Sequence, residues 1–297
     1  MLIKAQRERY AVPHFNTSDL EITKAILEGC NKLKSPVILG TSKSAIEYAG
    51  IKTLYQIVKT LSSNYKIPVA LHLDHSPNFE LVKACVKNGW TSIMIDTSRF
   101  SYLKNIRETK KVVDYCHKRQ IPVEAELGRL QGKEGWVKSK GHIFTEPLKA
   151  KEFVEKTGCD SLAISIGTSH GAFKFSGKPK LDFKRLKEIK ENVKVPLVLH
   201  GASSVPKEIV KKAEEYGSRF FGAKGVPPNQ IKKAIELGIC KVNTDTDLRI
   251  AFEAYLHEYL HKNHSVFDYR KIFSVGMEGV QKVVEERIKV LGSKGKI

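Results

Sequence analysis

A repeating unit of a short apolar strand followed by an amphipathic helical segment runs through the whole chain. The strand segments are rich in β-branched residues, often open at a proline, and end in small or polar residues. Eight of them occur, at residues 10–16, 36–42, 68–75, 91–98, 122–128, 161–171, 196–203 and 240–246. The intervening segments, such as "DLEITKAILEGCNKLK", place apolar residues three and four positions apart, which is the helical period.

This alternation constrains the fold. Continuous apolar strands alternating with helices predict a parallel sheet that is covered on both faces. Eight such units within roughly 250 residues predict a (β/α)8 TIM barrel. An open doubly wound sheet is the alternative, but no G-x-G-x-x-G sequence follows the first strand. We therefore expect a single barrel domain spanning residues 1–297.

The composition excludes several classes of protein. No apolar run approaches the roughly 20 residues that a membrane span needs, and "MLIKAQRERY" lacks the apolar region of a signal peptide. The five cysteines, at 30, 85, 116, 159 and 240, form no C-x-x-C pair. A disulfide framework and a thiolate zinc finger are therefore not expected, and we predict a cytoplasmic protein without a membrane partner.

The formal net charge is +19, from 51 Lys and Arg against 32 Asp and Glu. The lysines are spread along the chain and mixed with glutamate at helical spacing, as in "KEIVKKAEE". This pattern is typical of solvated helix faces and does not favour a nucleic-acid partner. A positive field also attracts small polyanions such as sugar phosphates.

The polar residues at the strand ends predict a functional site, because the active site of a TIM barrel lies at the C-terminal ends of its strands. Each of them alone could be a turn or capping residue, whereas together they would converge on one mouth. In chain order they are Asn16, Ser42, Asp74, His75, Asp96, Glu126, His170, His200, Ser203, Asn243 and Asp245.

Three of these residues, His75, His170 and His200, come from three different strands. Three histidines with one open position are the ligand set of a catalytic zinc or similar divalent ion. Asp96 and Glu126 suit a second cation position or an alternative zinc position. They equally suit a supporting role in which they orient the histidines, and both interpretations stay open.

Two further histidines, His14 and His72, lie inside strands, and we expect structural roles for both. Strand alternation puts His72 on the same face as Asp74, deeper in the barrel, with His75 at the exit. We therefore expect His72 to be a hydrogen-bonded support and not a metal ligand.

The loop "GRLQGKEGWVKSKGHIF" after the fifth strand carries Glu134 at its centre. Its carboxylate could move a proton when the loop closes, or it could be an exposed charge. The segments "SHGAFK" and "HGASS" combine glycine with small hydroxyl residues, which suits a phosphate cradle built from backbone N–H groups.

Six motifs now occur in a fixed order: "HLDH", "SIMIDTS", "VEAELGRLQGKE", "AISIGTSHGAFK", "PLVLHGASSVP" and "GICKVNTDTDLRIAF". On these motifs the chain resembles class II, metal-dependent fructose-bisphosphate aldolase. The resemblance implies reversible cleavage of fructose 1,6-bisphosphate to dihydroxyacetone phosphate and glyceraldehyde 3-phosphate, in glycolysis and gluconeogenesis, with Zn²⁺ stabilising the enediolate. It implies zinc on His75, His170 and His200, with Asp96 and Glu126 lining a second position where zinc also rests.

The resemblance also implies roles for the remaining site residues. Asp74 would transfer the proton of the C4 oxygen, and Glu134 would exchange the proton at C3. Asn243 would touch the enediolate, and Asn16 and Ser42 would lie on the substrate side. The residues that would hold the dihydroxyacetone phosphate end are Gly171, Gly201, Ser203, Asp245 and Thr246.

The family also binds Na⁺ or K⁺ near the phosphate loops. In the segment "FDYRK", Arg270 would reach the distal phosphate in a neighbouring subunit, which implies a homodimer or homotetramer. Tyr269 stands there in place of the family's usual proline.

Three alternative activities fit the sequence less well. Tagatose-1,6-bisphosphate aldolase shares the fold and the metal site, but the N-x-D-T-D-x-R sequence ending at Arg249 resembles the fructose enzymes. A Schiff-base aldolase needs a lysine at a strand end, and Lys241 lies at the opposite end of its strand, while Lys174 lies in a loop. A barrel metallohydrolase usually starts with H-x-H on the first strand, where this chain has only His14.

Overall fold

The computed structural model describes residues 1–129, 143–170, 180–220 and 224–297, together with the backbone of residues 131–134 and 137–139; of His170 it describes the backbone only. The strands are β1 (Val12–Asn16), β2 (Val37–Ser42), β3 (Val69–Ser76), β4 (Ser92–Ile95), β5 (Val123–Leu127), β6 (Gln131–Glu134), β7 (Val137–Ser139), β8 (Ser161–Ile164), β9 (Ser169–His170), β10 (Leu197–Leu199) and β11 (Ile239–Thr244).

The helices are α1 (Leu2–Glu8), α2 (Leu20–Lys32), α3 (Lys43–Ala49), α4 (Ile51–Ser62), α5 (Phe79–Lys87), α6 (Tyr102–His117), α7 (Pro147–Thr157), α8 (Phe183–Asn192), α9 (Lys207–Glu215), α10 (Pro228–Glu236), α11 (Thr246–Lys262) and α12 (Tyr269–Leu291). None of the helices in the described ranges combines the length and the apolar composition that crossing a bilayer requires.

Eight parallel strands close into a barrel in the order β1-β11-β10-β8-β5-β4-β3-β2, with helices between successive strands. The predicted (β/α)8 TIM barrel is thereby confirmed. All eight predicted strand segments contain a barrel strand, although the fourth, sixth and seventh strands are shorter than the predicted 91–98, 161–171 and 196–203. Beyond Ile95 the chain enters a turn in which Asp96 Oδ1 accepts a hydrogen bond from Ser98 Oγ at 2.7 Å.

A small second sheet has the order β7-β6-β9. Strands β6 and β7 pair in antiparallel fashion, and β6 pairs with β9 in parallel. The register places Gly132 opposite His170. The backbone that carries Glu134 is therefore hydrogen-bonded to the backbone that carries His170.

The helices begin where the sequence supplies capping residues. The Asp19 side chain accepts a hydrogen bond from the Ile22 N–H at 2.8 Å and starts α2. Asn78 caps α5 in the same way through the Leu81 N–H at 2.9 Å. Such caps satisfy backbone donors that have no partner within the helix, so α2 and α5 begin within a few residues of the ends of β1 and β3.

The interior of the barrel is polar as well as apolar. Alternate residues of a strand point to the same side, and this brings Glu124 and Glu126 of β5 inside, each less than a tenth exposed. The same alternation buries Lys241 and Asn243 on β11, next to β1 in the barrel. These side chains form the base of the site.

Candidate active site

The chain turns sharply where β3 ends, at the Asp74–His75 pair. The β3–β4 register shifts between Leu73 and Ser76, and His75 has a φ of 47°, in the left-handed region. Such a conformation is costly for a residue other than glycine and persists where the surroundings hold it, often at functional sites. The irregularity brings both side chains to one end of the barrel, although they are neighbours in a strand.

Asp74 is buried and is held by two amides. Its Oδ2 accepts a hydrogen bond from Asn16 Nδ2 at 2.9 Å, and Oδ1 accepts from Asn243 Nδ2 at 3.4 Å. Burial acts to raise the pKa of Asp74, but the neighbouring histidines, His75 first, hold that pKa below its ordinary value. The residue is therefore a buried, ionised carboxylate at the mouth.

His75 is surrounded by carboxylates. Its Nδ1 lies 2.9 Å from Asp96 Oδ2 and 3.5 Å from Glu126 Oε2. Burial acts to lower the pKa of His75, but Asp74 and Asp96 raise it well above its ordinary value. Burial and the charge of Asp96 together raise the pKa of Glu126 well above normal. Its Oε2 has no hydrogen-bond partner within the described part of the chain.

His200 follows β10 and faces His75. Its Nδ1 lies 2.9 Å from His75 Nε2, and its Nε2 lies 2.7 Å from Glu124 Oε1. Burial and the positive charge of His75 lower the pKa of His200. Each imidazole thus uses one ring nitrogen to bind a carboxylate and directs its other nitrogen toward the other imidazole.

This arrangement fits a divalent metal. Metal-bound histidines characteristically donate the second ring N–H to a carboxylate, which fixes the ring. The candidate ligand atoms of Asp74, His75 and His200 lie within 4.8 Å of one another, as do those of His75, Asp96 and Glu126. The carboxylates of Asp74, Asp96 and Glu126 supply negative charge beside the imidazoles, so the donor set suits a cation there.

A third group that could hold a metal consists of His14, His72 and Asp74. It lies deeper, and the ammonium of Lys241 is 3.5 Å from His72 Nε2. Burial, together with this ammonium, lowers the pKa of His72 to about 3. A cation is disfavoured beside an existing positive charge, so this group is a poor metal site.

His72 matches its expectation. Its Nδ1 lies 2.7 Å from Ser92 Oγ, and the side chain is buried, so it is the predicted hydrogen-bonded support. His14 is also fully buried and packs edge-on against His72 with ring centroids 5.4 Å apart. A methyl group at Gly40 would lie 2.1 Å from His14 Nε2, so glycine is required there.

A cavity of about 390 Å³ opens at the mouth of the barrel. Six residues predicted from the strand ends and motifs line it: Asn16, Ser42, Asp74, His75, Asp245 and Arg249. Arg249 pairs with Asp245 at 2.9 Å, and Ser42 accepts a hydrogen bond from the Ala45 N–H as the cap of α3. The cavity volume falls in the range of small-molecule sites.

Among the predicted phosphate residues, Asp245 lines this cavity and Ser203 contacts Asp245. Gly201 has a φ of 59°, and a methyl group on it would lie 2.6 Å from the Ser169 carbonyl oxygen, so the two loops touch through backbone. Ser203 Oγ accepts a hydrogen bond from the Asp245 N–H at 3.4 Å, and Thr246 begins the long helix α11. A helix N-terminus beside small-residue loops suits an anion.

Two buried charges that support these loops were missed from the sequence. Asp247 accepts hydrogen bonds from the N–H groups of Ser204 and Val205, both at 2.8 Å. Arg287 on α12 donates to the Ala202 carbonyl oxygen at 3.2 Å. In the sequence both residues look like ordinary surface charges. Their supporting role follows only from the packing of α12 against this loop.

Glu124 and Lys241 were also missed as part of the site. The "VEAEL" alternation gave a signal, because two glutamates two positions apart share one strand face. Lys241 lies at the start of its strand, as expected, but it is fully buried and its Nζ is 2.7 Å from Glu124 Oε2.

Some predicted residues are not brought to the mouth or cannot be placed there. The side chains of Glu134 and His170 and the whole of Gly171 lie outside the described residues. Arg270 is exposed, pairs with Asp268 at 3.0 Å, and lines a separate surface depression at the start of α12. The role proposed for Arg270 involves a second subunit, so its distance from this mouth does not bear on that role.

Comparison with known proteins agrees with this geometry. The family model described as class II fructose-bisphosphate aldolase matches residues 1–219 and 219–296. A fructose-bisphosphate aldolase of Thermus caldophilus is 47% identical over 298 residues, which covers 100% of this chain and 97% of the relative. One of Helicobacter pylori is 46% identical over 300 residues, covering 100% and 98%.

A solved structure gives the same result. The X-ray structure of the YdjI aldolase of Escherichia coli K12 matches with a TM-score of 0.82 at 32% identity, over 99% of this chain and 96% of that one. The sequence identity, the coverage and the barrel with its histidine and carboxylate cluster lead to one conclusion: the chain belongs to the class II fructose-bisphosphate aldolase family.

Proposed function

We propose that this protein is a class II aldolase that reversibly cleaves fructose 1,6-bisphosphate to dihydroxyacetone phosphate and glyceraldehyde 3-phosphate. The observation that carries the proposal is the convergence of Asp74, His75 and His200 at the mouth of a barrel from this family. The alternative substrate is tagatose 1,6-bisphosphate, which differs at C4.

His75 and His200 are proposed to hold Zn²⁺ through Nε2 and Nδ1, with His170 as the third ligand. Bound zinc supplies a Lewis acid for the ketose carbonyl and for the negative charge that develops as the C3–C4 bond breaks. The 2.9 Å contact between His75 Nδ1 and Asp96 supports an orienting role for Asp96. Glu126 Oε2 has no hydrogen-bond partner among the described residues, which supports a second metal position there.

Asp74 is proposed to take the proton of the C4 hydroxyl during cleavage and to return it during condensation. Its ionised state and its place beside His75 support this role, because a general base must lie within hydrogen-bond reach of the proton that it removes. The amides of Asn16 and Asn243 fix the direction in which the carboxylate oxygens point. Glu134 is proposed to exchange the proton at C3.

The dihydroxyacetone phosphate end is proposed to bind at the α11 N-terminus and the adjoining loops, through Gly171, Gly201, Ser203, Asp245 and Thr246. Asn243 would touch the enediolate, and Asn16, Ser42 and Arg249 would contact the rest of the substrate. The contact of Gly201 with the Ser169 backbone supports this assignment, since it brings two of the glycine- and hydroxyl-rich loops together.

The remaining proposals concern partners and setting. Na⁺ or K⁺ would bind near the phosphate loops. Arg270, exposed at the start of α12, would reach the distal phosphate in a second copy, so a homodimer or homotetramer is expected. The enzyme would act as one domain, in the cytoplasm, in glycolysis and gluconeogenesis.

A coupled assay with both bisphosphates tests the substrate. The zinc-loaded enzyme should cleave fructose 1,6-bisphosphate with a kcat/KM at least tenfold above that for tagatose 1,6-bisphosphate. Arg249→Ala should weaken the binding of either substrate, while Lys233→Ala on the far surface of α10 serves as the charge-matched control. Faster cleavage of the tagatose compound would reverse the substrate assignment, and phosphate release without aldol cleavage would contradict the activity.

A further inference from the structure

A buried ion pair lies beneath the two histidines, on the side away from the substrate. Glu124 on β5 and Lys241 on β11 are 3% and 0% exposed, and Lys241 Nζ lies 2.7 Å from Glu124 Oε2. The reaction proposed above uses neither residue. A buried charge pair of this kind contributes little net stability compared with apolar side chains, so its presence calls for another explanation.

Glu124 connects this lysine to His200. One carboxylate oxygen, Oε2, binds Lys241, while the other, Oε1, lies 2.7 Å from His200 Nε2. A hydrogen bond at Nε2 fixes the ring so that Nδ1 is directed at His75 Nε2, 2.9 Å away. Glu124 lies on β5, Lys241 on β11, and His200 directly after β10, so closure of the barrel sets the direction of His200.

Lys241 is itself held in place from a second side. Its Nζ lies 3.5 Å from His72 Nε2, and His72 Nδ1 lies 2.7 Å from Ser92 Oγ. The ammonium therefore neutralises the Glu124 carboxylate that contacts His200 and prevents that carboxylate from turning away. Without it, Glu124 would be an uncompensated charge in the barrel interior.

We propose that Lys241 and Glu124 are positioning residues that orient His200 for metal binding and so set the metal affinity of the site. The inference rests on the proposed function, because it takes His200 to be a metal ligand. It gives the lysine of the eighth barrel strand a role in place of Schiff-base chemistry. Neither residue touches the substrate in this account.

A second observation makes the proposal testable. A cavity of about 470 Å³ at the amino-terminal end of the barrel is lined by Lys241, Glu124 and His72, and also by Leu2 and Ile3 of α1. Ile3 is 68% exposed, so the cavity reaches the surface. Truncating Lys241 would extend this cavity to the Glu124 carboxylate, and a small alkylammonium ion could then replace the lost ammonium.

The experiment measures Zn²⁺ affinity by competition between the metal-free enzyme and a chromogenic chelator, without any assay of turnover. Lys241→Ala should weaken zinc binding by about 10–100-fold, the usual effect of losing an orienting partner. Glu124→Gln should weaken it similarly. Ethylammonium at tens of millimolar should restore most of the affinity to Lys241→Ala but not to Glu124→Gln, while Lys233→Ala should bind zinc like the wild type.

Lys241→Met fills the space of the lysine without its charge and provides a second variant if the alanine variant does not fold. It should lose zinc affinity in the same range and should not respond to ethylammonium. Wild-type zinc affinity in a folded Lys241 variant would overturn the inference, as would a loss in Lys241→Ala that ethylammonium leaves unchanged. If the wild-type enzyme itself bound no divalent metal, the proposed function would fail separately.

Discussion

Replacement of Asp74 by asparagine separates proton transfer from metal binding. Asparagine keeps the size of the side chain and an oxygen that can accept from Asn16 Nδ2, which donates to Asp74 at 2.9 Å. What is lost is the ionised oxygen that is proposed to accept the C4 proton. Because the described contacts of Asp74 are with amide and imidazole groups and not with apolar side chains, the hydrophobic core should be unaffected.

The magnitude follows from the role. A positioned general base typically accelerates a reaction by about 10²–10⁴-fold, which corresponds to about 3–5 kcal/mol of transition-state stabilisation. We therefore expect kcat for cleavage to fall by about 10²–10⁴-fold in Asp74→Asn, with a smaller change in KM.

The assay is coupled reduction of dihydroxyacetone phosphate, with zinc content measured on the same preparation. Asp74→Asn should retain the zinc content of the wild type, because His75 and His200 are unchanged. Asp114→Asn, on the exposed face of α6, is the matched control and should behave like the wild type. A zinc-loaded Asp74→Asn enzyme with kcat within threefold of the wild type would refute the assignment of Asp74 as the base.

Three further predictions concern His75, His72 and Gly40. His75→Ala should lose both bound zinc and activity, and micromolar added zinc should not restore the activity. A near-normal zinc content in this variant would show that His75 is not a zinc ligand. The pKa of His72 is lowered to about 3 from 6.5, so below pH 6.5 protons bind the unfolded chain first and stability is lost as the pH falls. We therefore expect the free energy of unfolding of metal-free His72→Gln, measured with urea, to fall by about 1 kcal/mol less than that of the wild type between pH 6 and pH 5. Equal decreases in the two proteins would contradict a neutral buried His72. Gly40→Ala should lower the free energy of unfolding by about 1–3 kcal/mol, because its methyl group would lie 2.1 Å from His14 Nε2; His14→Ala added to it should recover stability, and no recovery would rule out this clash as the cause.

The barrel was predictable because its signal is local. Strand composition and helical period are properties of neighbouring residues, and eight repeats leave few alternatives. The helix α1 before the first strand was not anticipated, since its apolar residues are too few to form a clear period. The exact end of β4 depended on the turn contacts of Asp96, which a strand pattern does not contain.

The site was predictable as far as strand ends define it. Six of the predicted residues do line one cavity, because parallel strands deliver their C-terminal ends to the same edge. The left-handed backbone at His75, which turns that side chain next to Asp74, has no sequence signal in a histidine. The partnership of Glu124 with His200 joins residues 76 positions apart and follows only from closure of the barrel.

Cleavage is proposed to depend on a metal held by the histidines at the mouth, and chelation combined with borohydride treatment distinguishes this from Schiff-base catalysis. The purified enzyme is treated with a chelator, assayed with fructose 1,6-bisphosphate, and then titrated with Zn²⁺; a parallel sample receives borohydride with substrate. Cleavage should be abolished by the chelator, should return with about one zinc per chain, and should be unaffected by borohydride. Cleavage that resists the chelator and is inactivated by borohydride with substrate would contradict the metal dependence and indicate a lysine Schiff base instead.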